Sequence, residues 1–125
     1  MLFDTDILIW VFRGNMKAAR LLDEAEDRNL SIVTYMELLQ GAKNKQEIRM
    51  IKNFIFDFNF RLISLTENIG HRASIYMEEY SLSNGMCLAD ALIAATATEN
   101  LITLCTGNKK HYNIIIDINL KLFKP

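Results

Sequence analysis

Cysteine is scarce in these 125 residues, neither sign of charge is in clear excess, and long apolar runs are missing. Cys87 and Cys105 are the only two cysteines, and neither belongs to a C-x-x-C pair. That excludes a disulfide framework and offers no thiolate zinc or redox site, so both read as reduced packing residues. Fourteen Lys and Arg stand against fifteen Asp and Glu, a net charge of −1. No global basic field therefore draws the chain onto nucleic acid or anionic lipid, and any RNA contact must be local. No apolar stretch approaches the roughly 20 residues that cross a bilayer. The run from Ile7 to Phe12 follows Asp4 and Asp6, with no basic region or small-residue cleavage site, and does not read as a signal peptide. A soluble, cytoplasmic protein with no membrane role is expected. No repeat, linker or low-complexity segment interrupts the chain.

Half of the chain is apolar. At a length near the commonest domain size this supports one compact core without disulfides or structural metal, hence a single domain over residues 1–125. Met1 to Asp4 reads as a buried strand, followed by a short apolar helix that Asp6 starts and Gly14 ends. Ala18, Leu21, Leu22 and Ala25 recur at helical spacing. Leu30 to Val33 reads as a second strand, Thr34 to Ala42 as a helix, and Ile48, Ile51, Phe54, Ile55 and Phe58 as the face of another. Phe60 to Ser64 predicts a third strand, and a long helix follows from about Thr66 to Tyr80, with a polar break over Ser81 to Gly85. Leu88 to Thr98 is an Ala-rich helix, Leu101 to Cys105 a fourth strand, Thr106 to His111 a polar loop and Asn113 to Ile116 a fifth strand. Strands alternating with helices predict an α/β fold, a parallel sheet covered on both faces.

The ligand crevice of an open parallel sheet lies beyond the carboxyl ends of its strands, and Asp4 stands where the first strand runs out. Asp-Thr-Asp before a helix also supplies capping oxygens, a role that suits Asp6 better than Asp4. Glu37 has two readings. Thr34-Tyr35-Met36-Glu37 matches a capping box, and the same glutamate, on the first turn of a helix leading from strand two, suits a metal ligand. Asp90 places one charge in the apolar run Cys87 to Ala95. Ala94 and Ala97 share its face and leave room around the carboxylate. A buried carboxylate there needs a partner, whereas an exposed one merely favours the helix N-terminal half. Thr106, Gly107 and Asn108 follow strand four and would face Asp4 across a crevice where the strand order reverses. They also make an ordinary glycine-containing turn. Lys109, Lys110 and His111 come next, cations for phosphate or simply a solvated loop.

Asp4-Thr5-Asp6, Thr34 to Leu38, Leu88 to Ala94 and Thr106 to Tyr112, in this order, resemble the PIN-domain family, and within it the VapC-type toxins. The likeness spans essentially the whole chain. It implies a three-layer α/β/α fold with a parallel five-stranded sheet ordered 3-2-1-4-5, and a carboxylate cluster that binds Mg²⁺ or Mn²⁺. The implied activity is endonucleolytic cutting of RNA, whether tRNA, rRNA or mRNA. Catalytic positions carried over are Asp4, Glu37, Asp90 and Asn108. The first three would be metal ligands, with Thr5, Asp6, Thr106, Lys109, Lys110 and His111 around them or on the RNA. A cognate VapB-like antitoxin and a homodimer are implied as well. Two positions depart from the pattern: Asp6 stands where Ser or Asn is common, and Asn108 where many members carry a fourth acid, which puts a second tightly bound metal in doubt.

Chemically, Mg²⁺ prefers carboxylate and water oxygens, which Asp4, Glu37 and Asp90 provide. For partners, the first helix presents Trp10, Val11 and Phe12 beside Ile7, more apolar surface than one core face needs, which suits an antitoxin groove or burial on both sides. Three rival readings follow from the residues. Asp4-Thr5-Asp6 resembles the start of haloacid dehalogenase-like phosphatases, although Leu8 stands where Thr or Val is usual. A non-catalytic module of the same fold would bind RNA or protein through the crevice. A metal-free ribonuclease would use His71 and His111.

Overall fold

The computed structural model describes residues 1–125. Five short strands, β1 (Leu2–Phe3), β2 (Asn29–Ser31), β3 (Arg61–Ile63), β4 (Leu104–Thr106) and β5 (Leu120–Leu122), form one sheet in the order β3-β2-β1-β4-β5. All four pairings are parallel. Around the sheet lie α1 (Thr5–Phe12), α2 (Met16–Glu24), α3 (Ile32–Gln40), α4 (Lys45–Asp57), α5 (Glu67–Asn84), α6 (Leu88–Glu99) and the single turn α7 (Lys109–Tyr112).

Two apolar cores flank the sheet, because consecutive strand residues point to opposite faces. Leu2 and Leu104 pack with Ile69, Ala73 and Tyr76 of α5 and the alanines of α6. Phe3 and Cys105, one residue further along the same strands, pack with Ile7, Leu8, Leu22, Ile51 and Ile55 of α1, α2 and α4. This is the three-layer α/β/α arrangement expected from the sequence, with the expected strand order. It places the reversal of strand order between β1 and β4, so the loops after Phe3 and Thr106 meet.

Several boundaries differ from the sequence reading, for identifiable reasons. Helix α3 begins at Ile32, not Thr34, because Ser31 accepts a hydrogen bond from the Val33 amide and caps it. The Thr34–Glu37 capping box therefore does not form, and Thr34 is a fully buried residue inside the helix. Asp4, not Asp6, is the N-cap of α1, its carboxylate accepting from the Thr5 amide at 2.8 Å. Helix α5 continues through Ser81–Asn84, and the break comes only at Gly85, which ends it in the left-handed conformation at φ 64°.

The fifth strand is not Asn113–Ile116. That segment is turn, with Ile115 buried and Ile116 95% exposed. Strand β5 lies further on, where Leu120, Lys121 and Leu122 pair with Leu104, Cys105 and Thr106. The isoleucine run misleads because its amides are committed to the turn after α7, as in the bond from the Ile115 amide to the Tyr112 carbonyl at 3.0 Å. No helix is long and apolar enough to cross a membrane.

Candidate active site

The end of β1, β4 and the helices α1, α3, α6 and α7 deliver polar side chains to the crevice at the carboxyl edge of β1 and β4. Asp4 is buried to 4% exposure, and its two oxygens are held separately. Oδ1 caps Thr5, and Oδ2 accepts from the Thr106 hydroxyl at 2.7 Å. The Thr106 oxygen in turn accepts from the Asn108 amide at 3.0 Å, so one buried hydroxyl ties the β4 loop to the β1 carboxylate. Asp6 Oδ2 accepts from the Gly107 amide at 2.8 Å. A Cβ at Gly107 would stand 2.7 Å from that oxygen, so any side chain there would displace the Asp6 carboxylate. Asp6 Oδ1 is buried without any hydrogen-bond partner.

On the other side of Asp4, the Thr5 hydroxyl donates to Glu37 Oε1 at 2.6 Å and lies 3.1 Å from the Thr34 hydroxyl. Glu37 is thus joined to the β1 loop by tertiary contact, not spent on capping its own helix. Asp90, in the first turn of α6, is half-buried above Ala94 and Ala97, both fully buried small residues. Both of its oxygens are held by α7: the Tyr112 hydroxyl donates to Oδ1 at 3.2 Å, and His111 Nδ1 lies 3.1 Å from Oδ2. The negative charge of Asp4 also acts on the buried Tyr112 phenol, whose hydrogen bond goes to Asp90.

The electrostatics are those of acids crowded out of water. Burial, reinforced by the nearby negative charge of Asp6, pushes the Asp4 carboxyl up to about 6 despite the Thr106 and Thr5 hydrogen bonds. Burial also raises Asp6, with the Gly107 amide opposing. The Tyr112 phenol is pushed far above its usual value by burial and by Asp4 and Asp90, and stays neutral.

Asp4, Thr5, Asp6, Glu37 and Thr106 thus meet at the ends of β1 and β4, and Asp90 and His111 form a pair of their own beside them on α6 and α7. Asn108 reaches Thr106 through its backbone amide, and its side chain makes no hydrogen bond there. Lys109 and Lys110 are exposed and form no ion pair. Tyr112 and Thr34 were missed as functional candidates, since nothing in an apolar or helical context marks a hydroxyl that only tertiary contact brings to a carboxylate. His71 is exposed on α5 and shares no side-chain hydrogen bond with the site.

The donors are all hard oxygens, the kind that Mg²⁺ and Mn²⁺ prefer. The orphaned oxygen of Asp6 and the raised Asp4 carboxyl mark a site short of positive charge. In this arrangement no three His, Cys, Asp or Glu side chains stand close enough to share one ion. The donor chemistry fits a divalent cation, whereas the side-chain positions are those of a hydrogen-bonded network.

A parallel sheet with an acid-lined crevice at its switch point defines an α/β protein with carboxylates gathered from a strand end and from separate helices. The chain belongs to the PIN-domain family: residues 1–115 match the family model described as PIN domain. It is 34% identical over 119 residues to Ribonuclease VapC10 of Mycobacterium tuberculosis, covering 90% of this chain and 85% of that protein. It is 29% identical over 125 residues to Ribonuclease VapC1 of Methanocaldococcus jannaschii, covering 98% and 86%. Among solved structures, a chain of a toxin-antitoxin complex from Klebsiella pneumoniae superposes with a TM-score of 0.77 at 30% identity, covering 94% of this chain and 93% of that one. VapBC-1 from nontypeable Haemophilus influenzae gives 0.81 at 23% identity, covering 97% and 96%, a likeness of fold. The family match sets aside the haloacid dehalogenase-like reading of Asp4-Thr5-Asp6.

Proposed function

We propose that the chain is a divalent-metal-dependent endoribonuclease, the toxin of a toxin-antitoxin pair. The observation that carries this reading is the gathering of Asp4, Asp6 and Glu37 at the strand ends, tied together through Thr5, Thr106 and Gly107, with Asp90 of α6 held beside them by Tyr112 and His111. The relatives named as VapC ribonucleases support the choice of substrate.

Asp4, Glu37 and Asp90 would hold Mg²⁺ or Mn²⁺ once their side chains turn toward one another from the positions they occupy here, with Asp6 beside them. The cation supplies positive charge that offsets the scissile phosphate and eases deprotonation of the attacking water. The chain's own residues prepare that arrangement. Thr106 and the Thr5 amide fix the two Asp4 oxygens, so the carboxylate has a single orientation. Thr5 orients Glu37 from across the crevice, and the α7 pair His111 and Tyr112 orients Asp90. Hydrolysis adds water across one P–O bond, and the departing ribose oxygen leaves as a hydroxyl.

An antitoxin has a place to dock beside this site. Ile7 is fully buried and Val11 and Phe12 are partly buried against the core, so most of the apolar surface of α1 is spent inside the protein. What remains is a cleft of about 380 Å³ at Ile9, Phe12, Leu38 and Met50, with Glu37 at its wall. A VapB-like segment lying there would cover Glu37. The Klebsiella pneumoniae complex supports a partner of this kind.

The direct test is incubation of the purified protein with total RNA, with and without Mn²⁺, alongside Asp4→Asn, followed by mapping of cut ends. Discrete Mn²⁺-dependent cuts that vanish in Asp4→Asn are expected. Cuts that persist in EDTA, or RNA left intact by the wild type, would overturn the proposal.

A further inference from the structure

Crowded carboxylates repel RNA phosphates, and a chain of net charge −1 has no general field to overcome that. The attraction must come from cations placed near the crevice. A cleft of about 270 Å³ lies between α2 and β5, walled by Lys17 and Arg20 on one side and Lys121 and Lys124 on the other. Leu21 and Phe123 contribute apolar surface, and Glu24 is the one acid. Lys17 and Arg20 are three residues apart on α2 and so share a face. All four cations are exposed, and none takes part in an ion pair.

This cleft adjoins the acidic site. The Phe123 amide donates to the Thr106 carbonyl at 2.9 Å. A Cβ on Gly107 would meet the Phe123 carbonyl at 3.4 Å on one side and Asp6 on the other. In the sheet, Lys121 sits opposite Cys105, and Cys105 opposite Phe3, the residue before Asp4. Lys121 is therefore two strand spacings, roughly 10 Å, from the strand end that carries the buried acid.

We propose that the α2–β5 cleft is the track along which a single-stranded RNA reaches the site, its phosphates held by Lys17, Arg20, Lys121 and Lys124. A cationic groove with a partly exposed aromatic ring, here Phe123, is the combination that binds single strands, the cations following the backbone and the ring accepting a base. The assignment rests on the ribonuclease reading and names where its substrate lies.

The test measures binding separately from cutting. Anisotropy of a labelled 20-nucleotide mixed-sequence RNA is followed in EDTA across a salt series, for wild type, Lys17→Gln with Arg20→Gln, and Lys121→Gln with Lys124→Gln. Lys52→Gln with Arg61→Gln, exposed cations of α4 and of β3 at the opposite sheet edge, is the control. Each cleft variant is expected to bind more weakly and to flatten the slope of log K against log salt by about 1.4, two lost contacts at ~0.7 each on a single strand. The control should keep the wild-type slope, and thermal melts of all three should agree. A wild type that does not bind RNA, or cleft variants that lose no more than the control, would overturn the proposal. So would an equal loss on a duplex DNA probe with no preference for RNA. Mn²⁺-dependent cleavage of total RNA reports independently: a wild type that cuts while the cleft variants bind normally removes the track and leaves the nuclease. Weakened binding by the variants of a wild type that never cuts keeps the track and removes the nuclease.

Discussion

The Thr106 hydroxyl donates to Asp4 Oδ2 at 2.7 Å across 102 residues of sequence, and both side chains are almost wholly buried. The same oxygen accepts from the Asn108 amide, so Thr106→Val leaves a buried carboxylate oxygen and a backbone amide each short of a partner. Loss of about 1–3 kcal/mol in urea unfolding is expected, with Thr106→Ser close to wild type. Equal stability of the Val and Ser variants would show that the hydroxyl contributes nothing there.

Asp4 makes stability depend on pH in a defined direction. Burial holds its folded-state carboxyl up at about 6, above the ordinary carboxylate value of 3.8, so between those values the folded chain binds more protons than the unfolded one. Stability is then full below the unfolded value and falls as pH rises through about 6, by on the order of 3 kcal/mol. Asp6 is shifted the same way. In EDTA, wild type should lose stability relative to Asp4→Asn between pH 4 and 6.5, because Asn also caps a helix and carries no charge. Mn²⁺ should restore wild type at pH 7.5 and leave the variant unmoved. Parallel pH profiles for the two proteins would contradict this.

A side chain at Gly107 would push against the Asp6 carboxylate. Gly107→Ala is expected to cost about 1–3 kcal/mol through overpacking, and to cost much less when Asp6→Ala is present as well. A double-mutant cycle by chemical denaturation measures the coupling. Strictly additive losses would mean that the clash is relieved elsewhere.

Glu37 should now behave as a functional and not a capping residue, since Ser31 caps α3 and Glu37 is bound by Thr5. Glu37→Gln keeps an oxygen for the Thr5 hydroxyl, so its thermal melt in EDTA should match wild type, while Mn²⁺ stabilisation and RNA cutting drop. Unchanged cutting would return Glu37 to the scaffold.

Tyr112 orients Asp90, and Phe would fill the same buried space. Tyr112→Phe should fold normally and bind Mn²⁺ roughly 10-fold more weakly, the usual consequence of removing a group that orients a metal ligand. Calorimetry reads the affinity, and excess Mn²⁺ should restore cutting. An unchanged Mn²⁺ affinity would leave Tyr112 with packing alone.

Much of this was legible in the chain. The alternation of apolar strands with amphipathic helices specified the parallel sheet, because each short buried strand needs a covering helix before the next can pair. Asp4 at a strand end, Asp90 alone among alanines and Thr106-Gly107 after β4 were visible as departures from the local apolar pattern. Other features required the folded molecule. The exchange of caps at Ser31 and Asp4 and the shift of β5 to Leu120–Leu122 depend on which amides are already committed to neighbouring turns. The role of Tyr112, the glycine at 107 and the joining of Thr5 to Glu37 are contacts between residues far apart in sequence, and local periodicity carries no record of them. Sequence pattern thus determined which elements form and how they layer, through burial and backbone propensity. Tertiary packing alone decided which oxygens face one another, because hydrogen bonds and carboxylate repulsion act over a few ångströms that only the folded chain brings about.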